Sequence, residues 1–426
     1  MIHVEEHKDP QQNLKSESFL LPKKLYLPIS QHVGAPSKLL VKKGDEVNEG
    51  DMIADVNGFV SAALHAPASG KITEIKTISH PSLKQSQGIV LNCQHQQKQD
   101  SPRKNIEELT SEQLIEIVKN SGIVGMGGAA FPTHVKLKPP KEISTLIING
   151  CECEPYLACD CRLMIEKIKE IFAGIDIIRK LINPKEIIFA VENNKPEAIK
   201  KINLAISTKK IGLSNVRLAI VESAYPQGGE KQLIKAVTAK EVPPAGLPFD
   251  VGCLVFNVAT CFAIYEAVHF SKPLIERLVS FAGDALVKPK NVWIKIGTTL
   301  KELFDSKVLE FKVSPKVIVS GGPMMGVALT GLNFPILKGT GGFLFLANTS
   351  KVDESVCLKC ARCVDVCSMN LLPLEYSKLV KNNEFDSLDD FNINDCIECG
   401  CCAYSCPAKI PIVHYIKVGK ACKPKK

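Results

Sequence analysis

No stretch of this sequence is continuously apolar for long. Its most hydrophobic part, residues 251–268, is interrupted by Asn257, Thr260 and Glu266. Nothing approaches the roughly 20 apolar residues that a spanning helix needs. Nor does one sign of charge dominate: 53 basic against 45 acidic residues leave +8 over 426 positions. That balance is too mild to point to nucleic acid, and it suits contact with an acidic protein or an anionic membrane surface equally well. The opening MIHVEEHKDP lacks the apolar segment of a secretion signal. The sequence therefore predicts a cytoplasmic protein whose only membrane role is peripheral. Its length predicts roughly two to four domains.

Cysteine, in contrast, is plentiful. In a reducing compartment 17 cysteines are metal ligands or redox groups sooner than a disulfide framework. Nine of them lie between Cys357 and Cys406, and eight of these form one pattern used twice. Cys357, Cys360, Cys363 and Cys367 are spaced C-x2-C-x2-C-x3-C, and Cys396, Cys399, Cys402 and Cys406 repeat that spacing before Pro407. Three thiolates two residues apart wrap a loop around one corner of a cubane. The fourth, on the following helix, points away and ligates the other cluster of two-cluster ferredoxins. The predicted sets are thus Cys357, Cys360, Cys363 and Cys406 for one [4Fe-4S] cluster, and Cys396, Cys399, Cys402 and Cys367 for the other. Zinc prefers two separated pairs of ligands to a triplet plus one. Cys401 falls outside the spacing and reads as a packed thiol. Ser368 stands where the first motif would usually carry proline, and Ala361 where glycine is common; neither removes a ligand.

The rest of the chain is read from its glycines and its alternation. Residues 41–53, with Gly44 and Gly50, read as short strands joined by glycine turns, and 64–75 follow at hairpin distance. The polar stretch 94–105 is a linker candidate, and 106–121 has helical periodicity. Then Gly125, Gly127 and Gly128 crowd a loop ahead of Phe131 and Lys136. Glycines this dense leave backbone N–H groups open to a phosphate or a flat ring; the same density also serves a plain turn. A strand at 144–148 leads to Asn149, Glu152 and Glu154. A second strand, 218–221, leads through Gly228 and Glu230 into a helix at 231–239, the arrangement of an anion site. Asn257 and Thr260 end a further strand. Strands alternating with helices over 106–268 predict an α/β unit with a parallel sheet.

These segments carry a resemblance. Residues 41–75 are similar to the barrel-sandwich hybrid of lipoyl and biotinyl carriers, yet Asp55, Gly58 and Phe59 stand at the hairpin with no lysine to modify, so the domain reads as structural. The glycine loop, Asn-x-x-Glu-x-Glu-Pro, Tyr-x-x-Gly-x-Glu and Asn-Val-x-Thr resemble the Rossmann-like FMN- and NADH-binding fold of the complex I flavoprotein subunit. Gly-Gly-Ala-x-Phe-Pro-Thr-His-Val-Lys, Glu-Cys-Glu-Pro-Tyr-Leu, Pro-Gln-Gly-Gly-Glu-Lys-Gln-Leu and Gly-Gly-Pro-Met-Met-Gly at 321–326 resemble the C subunit of Rnf-type electron-transport complexes over nearly the whole chain. The resemblance implies FMN against Gly125, Gly127, Gly128, Lys136, Asn149, Glu152, Gly228, Asn257 and Thr260, and nicotinamide nucleotide near Phe131, Glu154 and Glu230. It implies a multidomain chain: barrel-sandwich at 1–100, FMN/NADH α/β domain at 106–268, β-grasp (SLBB) module at 269–335, two-cluster ferredoxin domain at 350–412 and a basic tail at 413–426. It implies an electron-relay oxidoreductase linking NAD(H), FMN and the clusters, first cluster before second, with membrane-complex subunits or ferredoxin as partners. A soluble relative feeding a reductase such as proline reductase, and a flavin-free two-cluster wire, are the other readings. Two departures stand out. Glu5, Glu6, His7 and Lys8 replace the usual Gly-Gly-x-His, and Cys151, Cys159 and Cys161, which with Cys153 make four cysteines within eleven residues, lie where that family generally has alanine or acidic residues at one or more positions. They read as small buried thiols ahead of a further metal or redox site. The tail from Lys417 carries five lysines, which suit a solvated tail or anionic lipid.

Overall fold

The computed structural model describes residues 1–20, 22–94, 102–208, 213, 215–349 and 353–424. An arm with a short helix α1 (Asp9–Asn13) and strand β1 (Glu17–Phe19) precedes the first module. That module comprises β2 (Lys24–Pro28), β3 (Lys38–Leu39), β4 (Glu46–Val47), β5 (Met52–Asp55), β6 (Leu64–His65), β7 (Gly70–His80) and β8 (Lys84–Cys93). Its sheets run β2-β8-β7-β4 and β3-β5-β6, the two layers of a barrel-sandwich. Of the expected linker 94–105, residues 95–101 lie outside the described residues.

The second module alternates α2 (Ser111–Asn120), α3 (Thr133–Lys136), β9 (Thr145–Asn149), α4 (Cys159–Glu166), α5 (Ile168–Ile182), β10 (Glu186–Glu192), α6 (Pro196–Ser207), β11 (Val216–Val221), α7 (Glu230–Thr238), β12 (Cys253–Asn257) and α8 (Val258–Phe270). Its four strands are all parallel, in the order β11-β10-β9-β12. The near-continuous apolar run of β9, Thr-Leu-Ile-Ile, is what a strand covered on both faces requires. The broken apolar run of 251–268 is β12 followed by α8, and Asn257 breaks it because its side chain caps α8, accepting the Ala259 N–H. One core runs from Leu25 and Ile72 of the first module through Leu146, Phe172 and Val268 of the second. The two are therefore packed as one body.

The third module contains β13 (Glu276–Ala282), β14 (Lys290–Lys295), α9 (Leu300–Asp305), β15 (Val317–Ser320), β16 (Val327–Leu329) and β17 (Gly342–Leu346). Its sheet, β1-β14-β13-β17-β15-β16, reaches beyond the expected 269–335 at both ends. β1 adds in parallel to β14, and β17 inserts between β13 and β15. The fourth module has α10 (Arg362–Asp365), α11 (Pro373–Lys381), α12 (Cys401–Tyr404) and α13 (Ile412–Cys422). Here the reading of 413–426 as a basic tail is corrected. Ile412, Ile416 and Gly419 bury one face of α13 in the module's core. Lys420 donates to the Cys396 carbonyl at 2.6 Å and to Glu398 at 2.8 Å, and Lys423 pairs with Asp389. Lys425 and Lys426 lie outside the described residues. Among the described residues no helix is long and apolar enough to cross a membrane.

Candidate functional site

The site is assembled at the C-terminal ends of the parallel strands, where open α/β sheets present loops to ligands. Asn149 closes β9 and Asn257 closes β12, and the two are register partners. Over them folds the glycine loop. Its neck is a bridge between Val124 and Pro132, locked by the Gly125 N–H donating to the Phe131 carbonyl at 2.8 Å. The buried Thr260 hydroxyl accepts the Met126 N–H at 3.0 Å and ties the loop to α8. At Gly127 an added Cβ would come within 3.0 Å of Asn257 Cβ, whereas at Gly128 it would meet nothing within 4 Å. The loop therefore rests on Asn257 with one side and presents bare backbone with the other. That is a surface a flat ring can approach. Lys136, on α3, pairs with Glu230 at the start of α7 at 2.6 Å and sits 5.5 Å from the centre of the Phe256 ring.

Several of the expected ligand contacts are engaged with protein here. The Asn149 amide donates to the Gly228 carbonyl at 2.9 Å and its oxygen accepts the Cys151 N–H. Glu152 accepts the N–H groups of Asp160 and Cys161 at 2.8 and 3.0 Å, capping α4. Glu154 accepts the N–H groups of Met324 and Met325 and faces the Tyr225 hydroxyl, so it binds the 321–326 loop to the second module. Burial pushes its carboxyl up. Gly228 is a packing glycine: a Cβ there would stand 3.1 Å from Cys153 Sγ and 3.4 Å from Cys151 Cβ. Phe131 closes the neck of the loop through its carbonyl, and Glu230 is held by Lys136. The arm adds what no motif announced: Ile2 bridges Tyr225, Lys8 donates to the Glu152 carbonyl, and Glu6 accepts from Ser223 and Asn194.

In the fourth module the eight cysteines fall into two groups, each with one member from the other motif. Cys367, Cys396, Cys399 and Cys402 line one pocket, with Met369 and Tyr376 in its wall. Burial raises the Cys402 thiol, and Cys396, Cys399 and Cys367 are the charged neighbours that add to the rise. Cys363 likewise has Cys406, Cys357 and Cys360 as its neighbours. N–H groups of Leu371 and Glu398 donate to the sulfurs of Cys367 and Cys396, the contacts that tune cluster potentials. Cys357 and Cys360 are exposed, while Cys399 is buried against Cys401 and Tyr225. Cys401 is a packed thiol facing the Tyr225 carbonyl at 3.9 Å. The second cysteine set, not the first, therefore faces the α/β module, the reverse of the expected order. Gln232 of α7 donates to the Ser368 carbonyl at 3.2 Å across the same seam.

The four cysteines of 151–161 do not converge. Cys151 and Cys153 lie under Gly228, whereas Cys159 turns to the Gly341 carbonyl at 3.3 Å. Burial raises the thiols of all four, as befits packed groups.

A parallel-sheet module with a bare glycine loop, joined through a packed seam to two cysteine tetrads, defines an iron–sulfur electron-transfer protein with a nucleotide-type domain. Family models match in three places: the RnfC barrel sandwich hybrid domain over residues 2–96, the Nuo51 FMN-binding domain over 118–266, and the 4Fe-4S dicluster domain over 356–410. The C subunit of the proton-translocating ferredoxin:NAD(+) oxidoreductase complex of Clostridium ljungdahlii is 41% identical over 428 residues, covering 99% of this chain and 92% of that protein. The Na(+)-translocating counterpart of Acetobacterium woodii is 37% identical, covering 94% and 90%. The C subunit of the ion-translocating oxidoreductase complex of Vibrio cholerae is 38% identical over 92% of this chain, which spans only 51% of that longer protein. A crystal structure of an NAD+-reducing [NiFe]-hydrogenase shares the fold at TM-score 0.51 and 16% identity, covering 73% of this chain and 63% of that one. The chain belongs to the RnfC family, the C subunits of ion-translocating oxidoreductase complexes.

Proposed function

We propose that this chain relays electrons between NAD(H) and an iron–sulfur partner, as the C subunit of an ion-translocating ferredoxin:NAD oxidoreductase. FMN, when bound, supplies the exchange between two-electron and one-electron chemistry. Gly125, Gly127, Gly128 and Lys136 form its cradle, with Asn149, Glu152, Gly228, Asn257 and Thr260 fixing the walls. Phe131, Glu154 and Glu230 border the nicotinamide side. Cys357, Cys360, Cys363 and Cys406 hold one cluster, and Cys396, Cys399, Cys402 and Cys367 the other. The observation that carries this reading is the seam at Tyr225. It packs against Cys399 and Cys401 three residues before Gly228, whose carbonyl is held by Asn149, the register partner of the Asn257 that carries the glycine loop; this supports one relay through both modules. The chain sits peripherally on the membrane through partner subunits.

Cells opened anaerobically should yield the chain in the membrane fraction, released by about 1 M salt, where the Debye length falls to about 3 Å. The released protein should carry about eight irons and eight sulfides, as two cubanes require, together with FMN. Cys402→Ala should cost it about half of that iron. Zinc without acid-labile sulfide contradicts the cluster assignment. Retention through salt and through loss of the partner subunits contradicts peripheral attachment.

A further inference from the structure

Asp160 belongs to no motif of the relay, yet it is placed against the glycine loop. It is almost fully buried in the first turn of α4. Its Oδ2 accepts the Asn257 amide N–H at 2.6 Å, and Asn257 is the residue on which Gly127 rests. On its other side Asp160 lines a small pocket between α4, α8 and β13, with room for about one water, bordered by Met126 of the glycine loop, Arg277 and Trp293. One carboxyl thus has contact with the loop's support and with a space that admits water.

The charged and titratable groups around Asp160 come from each element packed on it. Glu152 precedes α4, Cys159 is its neighbour on the helix, Arg277 comes from β13 and Lys195 from the start of α6. Glu266 and Glu276 sit at the cavity's edge, joined by Lys272 at 2.6 Å to each. The ligand atoms of Glu152, Cys159 and Asp160 lie within 4.8 Å of one another, which is metal-like spacing. However, both Glu152 oxygens are taken by backbone N–H groups, and Arg277 already places a cation beside Cys159 and Asp160. The group is better suited to hold a proton than an ion.

We propose that Asp160 is the redox-linked proton acceptor of the flavin-type site, binding a proton from cavity water when negative charge is added at the glycine loop and releasing it when that charge leaves. The inference rests on the flavin reading above. In the step a proton passes from cavity water, in exchange with bulk, to a carboxylate oxygen of Asp160, forming one O–H bond as one is broken. The electrons come from the nicotinamide donor and do not pass through Asp160, which acts through Asn257 as a positioning and charge-compensating residue. Burial first, and the Glu152 carboxylate second, already hold its carboxyl up, at about 7. Modest added negative charge is then enough to change its protonation at cellular pH.

The test is a reduced-minus-oxidised infrared difference spectrum of the FMN-loaded full chain at about pH 8, above the oxidised-state titration of the group. A protonated-carboxyl band should appear on reduction in the wild type, vanish in Asp160→Asn and return at a displaced frequency in Asp160→Glu. The pH dependence of the flavin potential should flatten in Asp160→Asn over the same range. FMN-loaded wild type without such a band, or a band that survives in Asp160→Asn, overturns the inference and leaves the flavin reading standing. Wild type that takes up no FMN overturns both. Where Asp160→Asn holds no FMN, the wild-type spectrum and the Asp160→Glu displacement decide the matter.

Discussion

Ala361 and Gly400 occupy the same place in the two halves of the cluster module. Each is the left-handed residue that starts a short helix, with φ of +59° and +87°. Their predecessors Lys359 and Glu398 match as well, at +54° and +57°. An L-residue with a Cβ in this region costs roughly 1–2 kcal/mol, a cost glycine avoids. Ala361→Gly should therefore stabilise the module by about 1 kcal/mol, read as a higher urea midpoint for loss of cluster absorbance. Gly400→Ala should destabilise it by more, because its new Cβ would stand 2.7 Å from the Met324 carbonyl on top of the strain. Equal and small effects at both sites would contradict this account. The repeat itself was legible from spacing alone, since ligand spacing is set by the cluster and not by the rest of the fold. Asp160 was not legible: an acid in a helix's first turn usually only answers the helix dipole. What sets it apart is a partner 97 positions away.

Helices and strands were read correctly where their apolar period was long and uninterrupted. β9, β11 and α7 fall within two residues of where the pattern put them, whereas α2 begins at Ser111, five residues after the expected 106, because Thr110 caps it there. α13 was misread because five lysines between 417 and 426 outweighed the Ile412–Ile416 spacing, which is too short to show a period. Lys420 and Lys423 are held by Glu398, Asp389 and a backbone carbonyl, so these two do not add to a free basic face. Ending the chain at Pro411 should thus be costly. Two fully buried isoleucines alone account for about 4 kcal/mol of burial, and the Cys396–Cys402 loop loses its Lys420 tether. Reconstituted protein cut there should lose the second cluster and keep most of the first, seen as about half the iron per chain. Full iron occupancy in the truncated protein would restore the tail reading.

At the scale of the whole molecule, the modules are stitched by segments that no local pattern announces. The arm reaches Glu152 and Ser223 across 144 and 217 positions, and β1 completes a sheet whose other strands begin near residue 276. Composition and periodicity are local quantities and carry no information on such pairings, whereas family motifs located the glycine loop and the strand-end asparagines directly. The same stitching sets Cys399 and Cys401 against Tyr225, so the relay is a property of the assembled chain. It is tested most directly by running it without any partner. The chain, loaded with FMN and both clusters, is reduced photochemically under anaerobic conditions until no free reductant remains, then mixed with NAD+. About two NADH should form per chain, because the flavin holds two electrons and each cluster one, with reoxidation of the cluster absorbance, and none from protein stripped of FMN. Reduced clusters that persist in the FMN-loaded chain beside excess NAD+, with no NADH formed, would contradict it.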